Sequence, residues 1–193
     1  MNDFSFCAVS RNMRGQQKNQ RPMCIWLTGL SGSGKSTLST QLEQALHTRG
    51  LHTMVLDGDI MRQGLCRDLG MSDSDRSENI RRVAEVAKLM AEAGLVVIVA
   101  LISPFRKDRQ AARELFAEGE FLEVFVDAPL ETCSARDPKG LYAKVRSGQI
   151  KNFTGVDSPY EAPEHPDVHI RSAESDVATC VQSILGRMGL GDV

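Results

Sequence analysis

The segment Gly29-Leu30-Ser31-Gly32-Ser33-Gly34-Lys35-Ser36-Thr37 satisfies G-x-x-x-x-G-K-[ST] at every fixed position. Before it lies a short apolar run, Cys24-Ile25-Trp26-Leu27-Thr28. After it, Lys35 to Arg49 carries Leu38, Leu42, Ala45 and Leu46 on one helical face and closes at Gly50. A chance Gly/Ser turn could match the letters, but it would not bring a strand before and a helix after. The residue types follow from the chemistry. Glycines let the backbone curl until successive N–H groups converge on one anion. The helix that follows adds its free N–H groups and the positive end of its dipole. Lys35 brings a mobile cation to the β- and γ-phosphates, and the Ser36 hydroxyl can ligate Mg²⁺. Gly29 to Thr37 thus predicts nucleotide binding, without separating a kinase from a GTPase switch or a motor.

The remainder alternates strand and helix patterns. Thr53 to Leu56 predicts a second strand ending at Asp57. Glu78 to Ala93 repeats Ile80, Val83, Ala84, Ala87, Met90 and Ala91 at helical spacing before Gly94. Leu95 to Leu101 is wholly apolar, as strands covered on both faces of a parallel sheet are. Phe105 to Ala117 predicts a helix, Phe121 to Val126 a strand ending at Asp127, Val168 to Ile170 an edge strand, and Asp176 to Met188 a closing helix. This order implies right-handed βαβ crossovers and one mostly parallel sheet between helical layers. A single domain over 22–193 is expected, preceded by a polar arm, 1–21, that is flexible or docked and carries Arg11, Arg14, Lys18 and Arg21.

Composition narrows the class. Among 193 residues, Lys+Arg 23 against Asp+Glu 25 leaves a net charge of -2, which lacks the cationic surplus of a general nucleic-acid binder. No apolar run reaches bilayer-spanning length, and Met1 to Gln20 lack the apolar stretch of a signal peptide. The five cysteines form no CxxC pair, so neither a disulfide framework nor a zinc cage is suggested. A soluble, cytoplasmic chain is expected.

Asp57-Gly58-Asp59 follows the second predicted strand, at the sheet edge onto which the phosphate loop opens. Either carboxylate could hold Mg²⁺ or accept a proton from an attacking hydroxyl, and a plain Asp-Gly turn is the alternative. The strand at 95–101 runs into Ile102-Ser103-Pro104 without an acid, which favours Asp59 for the metal or base role. Arg62, Arg67, Arg76, Arg81 and Arg82 precede that strand. Arg106, Arg109 and Arg113 follow it on one helical stripe. Most are expected to form a solvated face, with two or three free for an anionic acceptor. Arg136 to Arg146 reads as a basic lid, and Phe153 and Tyr160 as exposed loop aromatics suited to stacking.

Several blocks together resemble the adenylyl-sulfate kinases (APS kinases): Gly29 to Thr37, Leu56-Asp57-Gly58-Asp59, Arg67-Asp68-Leu69-Gly70, Asp75 to Arg82, Ile102 to Arg106, Asp137-Pro138-Lys139-Gly140-Leu141-Tyr142, and Phe153 to Glu161. The likeness spans about Arg11 to Asp167. It implies an α/β P-loop kinase-like three-layer sandwich with a lid, and transfer of the ATP γ-phosphate to the 3′-hydroxyl of adenosine 5′-phosphosulfate with Mg²⁺. By the same resemblance Asp59 is the base or magnesium carboxylate beside Ser36 and Lys35. Asp57, Arg62, Met71, Arg76, Asn79 and Lys139 face the acceptor, Phe153 stacks on its adenine, and a homodimer is expected. Ser103 stands where the family commonly carries a phosphoserine intermediate. A strand-end polar residue is the other reading, since in-line transfer needs no covalent stop. The chain departs from the family pattern at Ile60, where Asn is usual, at Met71, where Phe is usual, and at Ala84, where Gly is frequent. The first two bear on acceptor affinity rather than on ATP chemistry.

Overall fold

The computed structural model describes residues 8–191. Cys7 and the first residues of the predicted arm lie outside them. The described chain runs α1 (Arg11–Gln17), β1 (Met23–Thr28), α2 (Lys35–Thr48), β2 (Thr53–Asp57), α3 (Gly58–Gln63), α4 (Asp73–Glu92), β3 (Val96–Ala100), α5 (Arg106–Glu114), β4 (Phe121–Asp127), α6 (Leu130–Arg136), α7 (Leu141–Arg146), β5 (Val168–Arg171) and α8 (Val177–Arg187).

The strands form one five-stranded sheet in the order β2-β3-β1-β4-β5, with every pairing parallel. From β1 the chain first builds outward on one side, through β2 and β3, and then on the other, through β4 and β5. The carboxyl end of β1 is therefore the switch point where an open α/β sheet leaves a crevice. The phosphate loop leaves β1 at that point.

Alternation across the strands builds the layers. Met23, Ile25 and Leu27 of β1 join Val96, Ile98, Ala100, Val124 and Val126 against Leu38, Leu42 and Leu46 of α2 and Val181, Ile184 and Leu185 of α8. Cys24 and Trp26 turn to the other face, with Val97, Val99 and Phe121, against Ile80, Val83, Ala84 and Ala87 of α4. Every residue of β1 is buried, which requires a central strand covered on both sides. Trp26 is 0% exposed and stacks on Phe121 at 5.8 Å. Its truncation to alanine would cost about 3–5 kcal/mol.

A smaller cluster, Ala128, Cys133, Tyr142 and Phe153, seats the lid helices α6 and α7 over the sheet edge. Helix α4 begins five residues before the apolar repeat predicted, because its first turn is set by capping rather than burial. Ser72 and Asp75 form a reciprocal capping box there. Helix α1 is docked through polar groups. Arg14 donates to Glu92 O (3.0 Å), Lys18 to Ala93 O (3.0 Å) and Gln20 to Gly94 O (2.7 Å), so the arm caps carbonyls at the end of α4. Arg11 adds an ion pair to Glu120.

Candidate active site

The phosphate loop is held from outside by groups distant in sequence. Gly32 has φ +78, and a Cβ there would stand 2.8 Å from the Cys133 carbonyl oxygen, so only glycine lets the α6 backbone approach this closely. Tyr142 of α7 donates its hydroxyl to Ser31 O at 2.8 Å. Ser172, just past β5, donates to Ser33 O at 2.6 Å and Asp127 O at 3.1 Å. Arg136 donates to Ser172 O at 2.8 Å. None of these contacts leaves a local sequence signal, and sequence reasoning missed Tyr142 and Ser172 as site residues. The lid block, Asp137 to Tyr142, contained Tyr142, whereas nothing local marked Ser172.

Lys35 is buried and donates to its own loop, at Gly29 O (2.9 Å) and Leu30 O (2.7 Å). Burial lowers its pKa to about 8, against the smaller opposing pull of Asp57 and Asp59. The Ser36 hydroxyl donates to Asp57 Oδ2 at 2.9 Å, while the other oxygen of Asp57 caps α3 through Asp59 N at 2.9 Å. Asp57 ends β2 and is thus anchored to the sheet; Asp59 sits in the first turn of α3 and reaches outward. Asp59 instead pairs with Lys139 of the lid. The carboxylate that meets Ser36 is therefore Asp57, where Asp59 was expected. A serine hydroxyl beside a carboxylate is a hard oxygen donor set, which fits a divalent cation such as the family uses with ATP.

One cleft of about 840 Å³ brings the predicted residues together. Ser31 to Thr37, Asp57, Asp59 and Lys139 line one part; Arg62, Met71, Arg76, Asn79, Ile80, Ser103 and Phe153 line another. Gly29 and Leu30 contribute through the carbonyls that hold Lys35. Met71 is 58% exposed at the rim. Asn79 is buried, and its side-chain oxygen has no hydrogen-bond partner within the protein. Arg76 spends part of its fork on the loop before it, donating to Thr154 Oγ1 (2.6 Å), to Ser158 Oγ (2.9 Å) and to the Asn152 carbonyl.

Three expectations change. Phe153 is buried, edge-on to Tyr142 at 5.0 Å, while Tyr160 is half-buried, stacked on Phe125 and bonded to Thr28 (3.0 Å). Neither is an exposed loop aromatic, because the lid and the sheet edge supply apolar seats. In the row Arg106, Arg109, Arg113 only Arg106 stays solvated as expected, while Arg109 is buried and Arg113 half-buried. Arg109 is buried on Glu123 (2.7 Å), Ser103 O (2.6 Å) and Glu161 O (2.7 Å), and Arg113 and Arg106 hold Asp167 and Glu164. Arg81 and Arg82 are likewise engaged, with Glu78 and Asp68. Ser103 is buried at φ +41, and its hydroxyl accepts from the Trp26 indole at 3.1 Å.

A phosphate nest at the switch point of a parallel sheet, closed by a lid and facing a second polar, apolar-walled compartment, defines a P-loop phosphotransferase. The model of the family described as adenylylsulphate kinase matches residues 21–171. The adenylyl-sulfate kinase of Marinobacter nauticus is 60% identical over 177 residues, 92% of this chain and 89% of that protein. The adenylyl-sulfate kinase of Aeromonas hydrophila is 59% identical over 183 residues, 95% of this chain and 93% of that protein. The structure of the Mycobacterium tuberculosis APS kinase CysC in complex with AMPPNP and APS matches with a TM-score of 0.84 at 45% identity, covering 88% of this chain and 98% of that one. The chain belongs to the adenylylsulphate kinase family, ATP-dependent kinases that phosphorylate an alcohol group. No helix among the described residues is long and apolar enough to cross a membrane.

Proposed function

We infer that the chain transfers the γ-phosphoryl group of ATP to the 3′-hydroxyl of adenosine 5′-phosphosulfate, giving 3′-phosphoadenosine 5′-phosphosulfate and ADP. The observation that carries this reading is the single cleft lined both by the phosphate nest and by Asp59, Arg62, Arg76, Asn79 and Phe153. ATP places its phosphates in Ser31 to Thr37, with Lys35 leaving its own carbonyls for the β- and γ-oxygens. Arg62 and Lys139 meet the phosphosulfate, Arg76 holds the loop that carries Phe153, and Asn79 offers its free oxygen to a donor on the acceptor. Phe153, backed by Tyr142, and Met71 flank the adenine.

Asp59 takes the proton from the 3′-hydroxyl as its oxygen bonds to the γ-phosphorus; the bond from that phosphorus to the bridging oxygen breaks, and ADP departs. Before substrate arrives Asp59 is paired with Lys139. Both side chains are about half exposed, 58% and 49%, so breaking the pair costs no more than about 1 kcal/mol. Lys139 is then released to the acceptor and Asp59 to the hydroxyl. Ser36 and Asp57 would hold Mg²⁺, which supplies charge neutralisation at the β- and γ-phosphates. The two-carboxylate turn thus divides its labour, Asp57 to the metal and Asp59 to the proton. Ser103 acts as a strand-end scaffold residue, since its hydroxyl oxygen is taken by Trp26.

We place the working form in the cytoplasm as a homodimer, with 22–193 as the catalytic domain and 1–21 as an arm of which the helix Arg11–Gln17 docks on α4. Exposed Met13, Met54 and Leu89 offer apolar surface for the contact. The test is ADP release with ATP, Mg²⁺ and a panel of alcohol acceptors. Adenosine 5′-phosphosulfate is expected to exceed every other acceptor and water; turnover no faster than with water alone would sink the reading.

A further inference from the structure

Tyr142 lies behind the cleft wall and contacts two residues that line it, Ser31 and Phe153. Its hydroxyl donates to Ser31 O at 2.8 Å, and its ring meets Phe153 edge-on at 5.0 Å and 77°. It is 3% exposed, so it makes both contacts from a fixed seat. Its own helix is set by Asp137, whose carboxylate accepts from Tyr142 N (3.1 Å) and Ala143 N (3.0 Å).

The bond to Ser31 has a geometric corollary. The carbonyl of Ser31 and the N–H of Gly32 belong to one planar trans peptide and point in opposite directions. Holding that carbonyl outward turns the Gly32 N–H toward the concave side of the loop, where a phosphate oxygen binds. Ser172 does the same for the Ser33 carbonyl and the Gly34 N–H. The difference is where the two donors sit. Ser172 sits in the turn after β5, tied to the end of β4 through Asp127 O; Tyr142 rides on the lid and also backs the aromatic of the other compartment.

We propose that Tyr142 is a positioning residue that couples the two substrate subsites, its hydroxyl aiming a phosphate-loop N–H and its ring fixing Phe153. This rests on the reading of Phe153 as the acceptor's aromatic wall. Binding at either subsite then stiffens the seat of Tyr142 and favours binding at the other, and by linkage the effect is the same in both directions.

Two variants separate the halves. Tyr142→Phe removes only the hydroxyl. The dissociation constant for ADP, measured by titration calorimetry, is expected to rise about three- to tenfold, the worth of one such bond, and the KM for adenosine 5′-phosphosulfate at saturating ATP is expected to rise by the factor of coupling lost with the hydroxyl. Tyr142→Leu removes the ring as well and is expected to raise that KM further. In both, the heat-denaturation midpoint is checked to lie above the assay temperature. Unchanged ADP affinity in Tyr142→Phe would overturn the proposal, as would a Tyr142→Leu variant whose acceptor KM matches wild type. Thermal destabilisation with both constants intact would mean a structural role only. A wild-type chain that released no ADP with adenosine 5′-phosphosulfate would sink the acceptor reading and the coupling with it, whereas the ADP titration would still report the bond to Ser31.

Discussion

The two compartments of the cleft are built in different ways. The phosphate side is one continuous stretch, Ser31 to Thr37, which offers backbone N–H groups with the Lys35 and Ser36 side chains, while side chains from α6, α7 and the turn after β5 hold the loop in shape. The side we assign to the acceptor is assembled from α3, α4, the end of β3, the lid and the loop at Asn152–Thr154, and there side chains from many elements line the cleft. A site made of backbone is insensitive to most substitutions other than those at its glycines and its lysine. A site made of side chains from many elements can change its affinity at one position while its neighbour keeps working. Met71, at the rim of the acceptor side, is such a position.

The largest effect is expected where the two compartments meet. Asp59→Asn keeps the shape of the turn but cannot take the proton; kcat should fall on the order of 10²–10⁴-fold with ADP affinity close to wild type. Near-normal turnover would erase the division between a binding side and a reacting side.

Next is the scaffold beneath the acceptor side. Arg109→Ala leaves Glu123 without its buried partner and frees the carbonyls of Ser103 and Glu161. Denaturant unfolding should show a loss of about 3–5 kcal/mol. At temperatures where the variant is folded, the acceptor KM should suffer more than the ATP KM. Equal changes would mean that the two sides share one scaffold.

A smaller effect belongs to the phosphate side alone. Lys35 must be charged to meet a phosphate, and burial has lowered its pKa to about 8 in the free protein. A depressed lysine pKa means that the charged form is present below that value and lost above it. The ATP KM should therefore rise above about pH 8, by up to about tenfold per pH unit, without a matching rise for the acceptor. A flat ATP profile from pH 7 to 10 would show that Lys35 keeps its proton throughout.

The smallest change sharpens the comparison most directly. Met71→Phe adds an aromatic face at the rim, and the acceptor KM should fall about two- to tenfold, the worth of one ring contact. The ATP KM should hold. A shift confined to ATP would move Met71 out of the acceptor side.

How much of this could be read in the sequence follows the same division. The nest was legible because its residues are contiguous and each letter has a chemical reason. The strands were legible because two-sided burial writes unbroken apolar runs, as in Leu95 to Leu101. Three things were not. Helix α1 docks by hydrogen bonds to carbonyls, which leave no periodic mark. Arg109 finds partners 14 and 52 residues away, at Glu123 and Glu161, and Arg113 one 54 residues away, at Asp167, so a stripe of like charge resembled a wet surface. Asp57 and Asp59 stand so close together that spacing could not tell which would face Ser36; the N-cap of α3 decided it by fixing Asp57 against the sheet and turning Asp59 outward.

Trp26 has a further use. It is the sole tryptophan of the chain. It lies at the heart of the sheet, with its indole N–H on the hydroxyl of Ser103, a residue of the cleft wall. The fold has thereby wired one chromophore to the place where an acceptor would arrive. Excited at the red edge of the aromatic band, where the two tyrosines do not absorb, the unlabelled protein emits from a single known location, and an acceptor that disturbs Ser103 would be registered there as a change in colour or brightness.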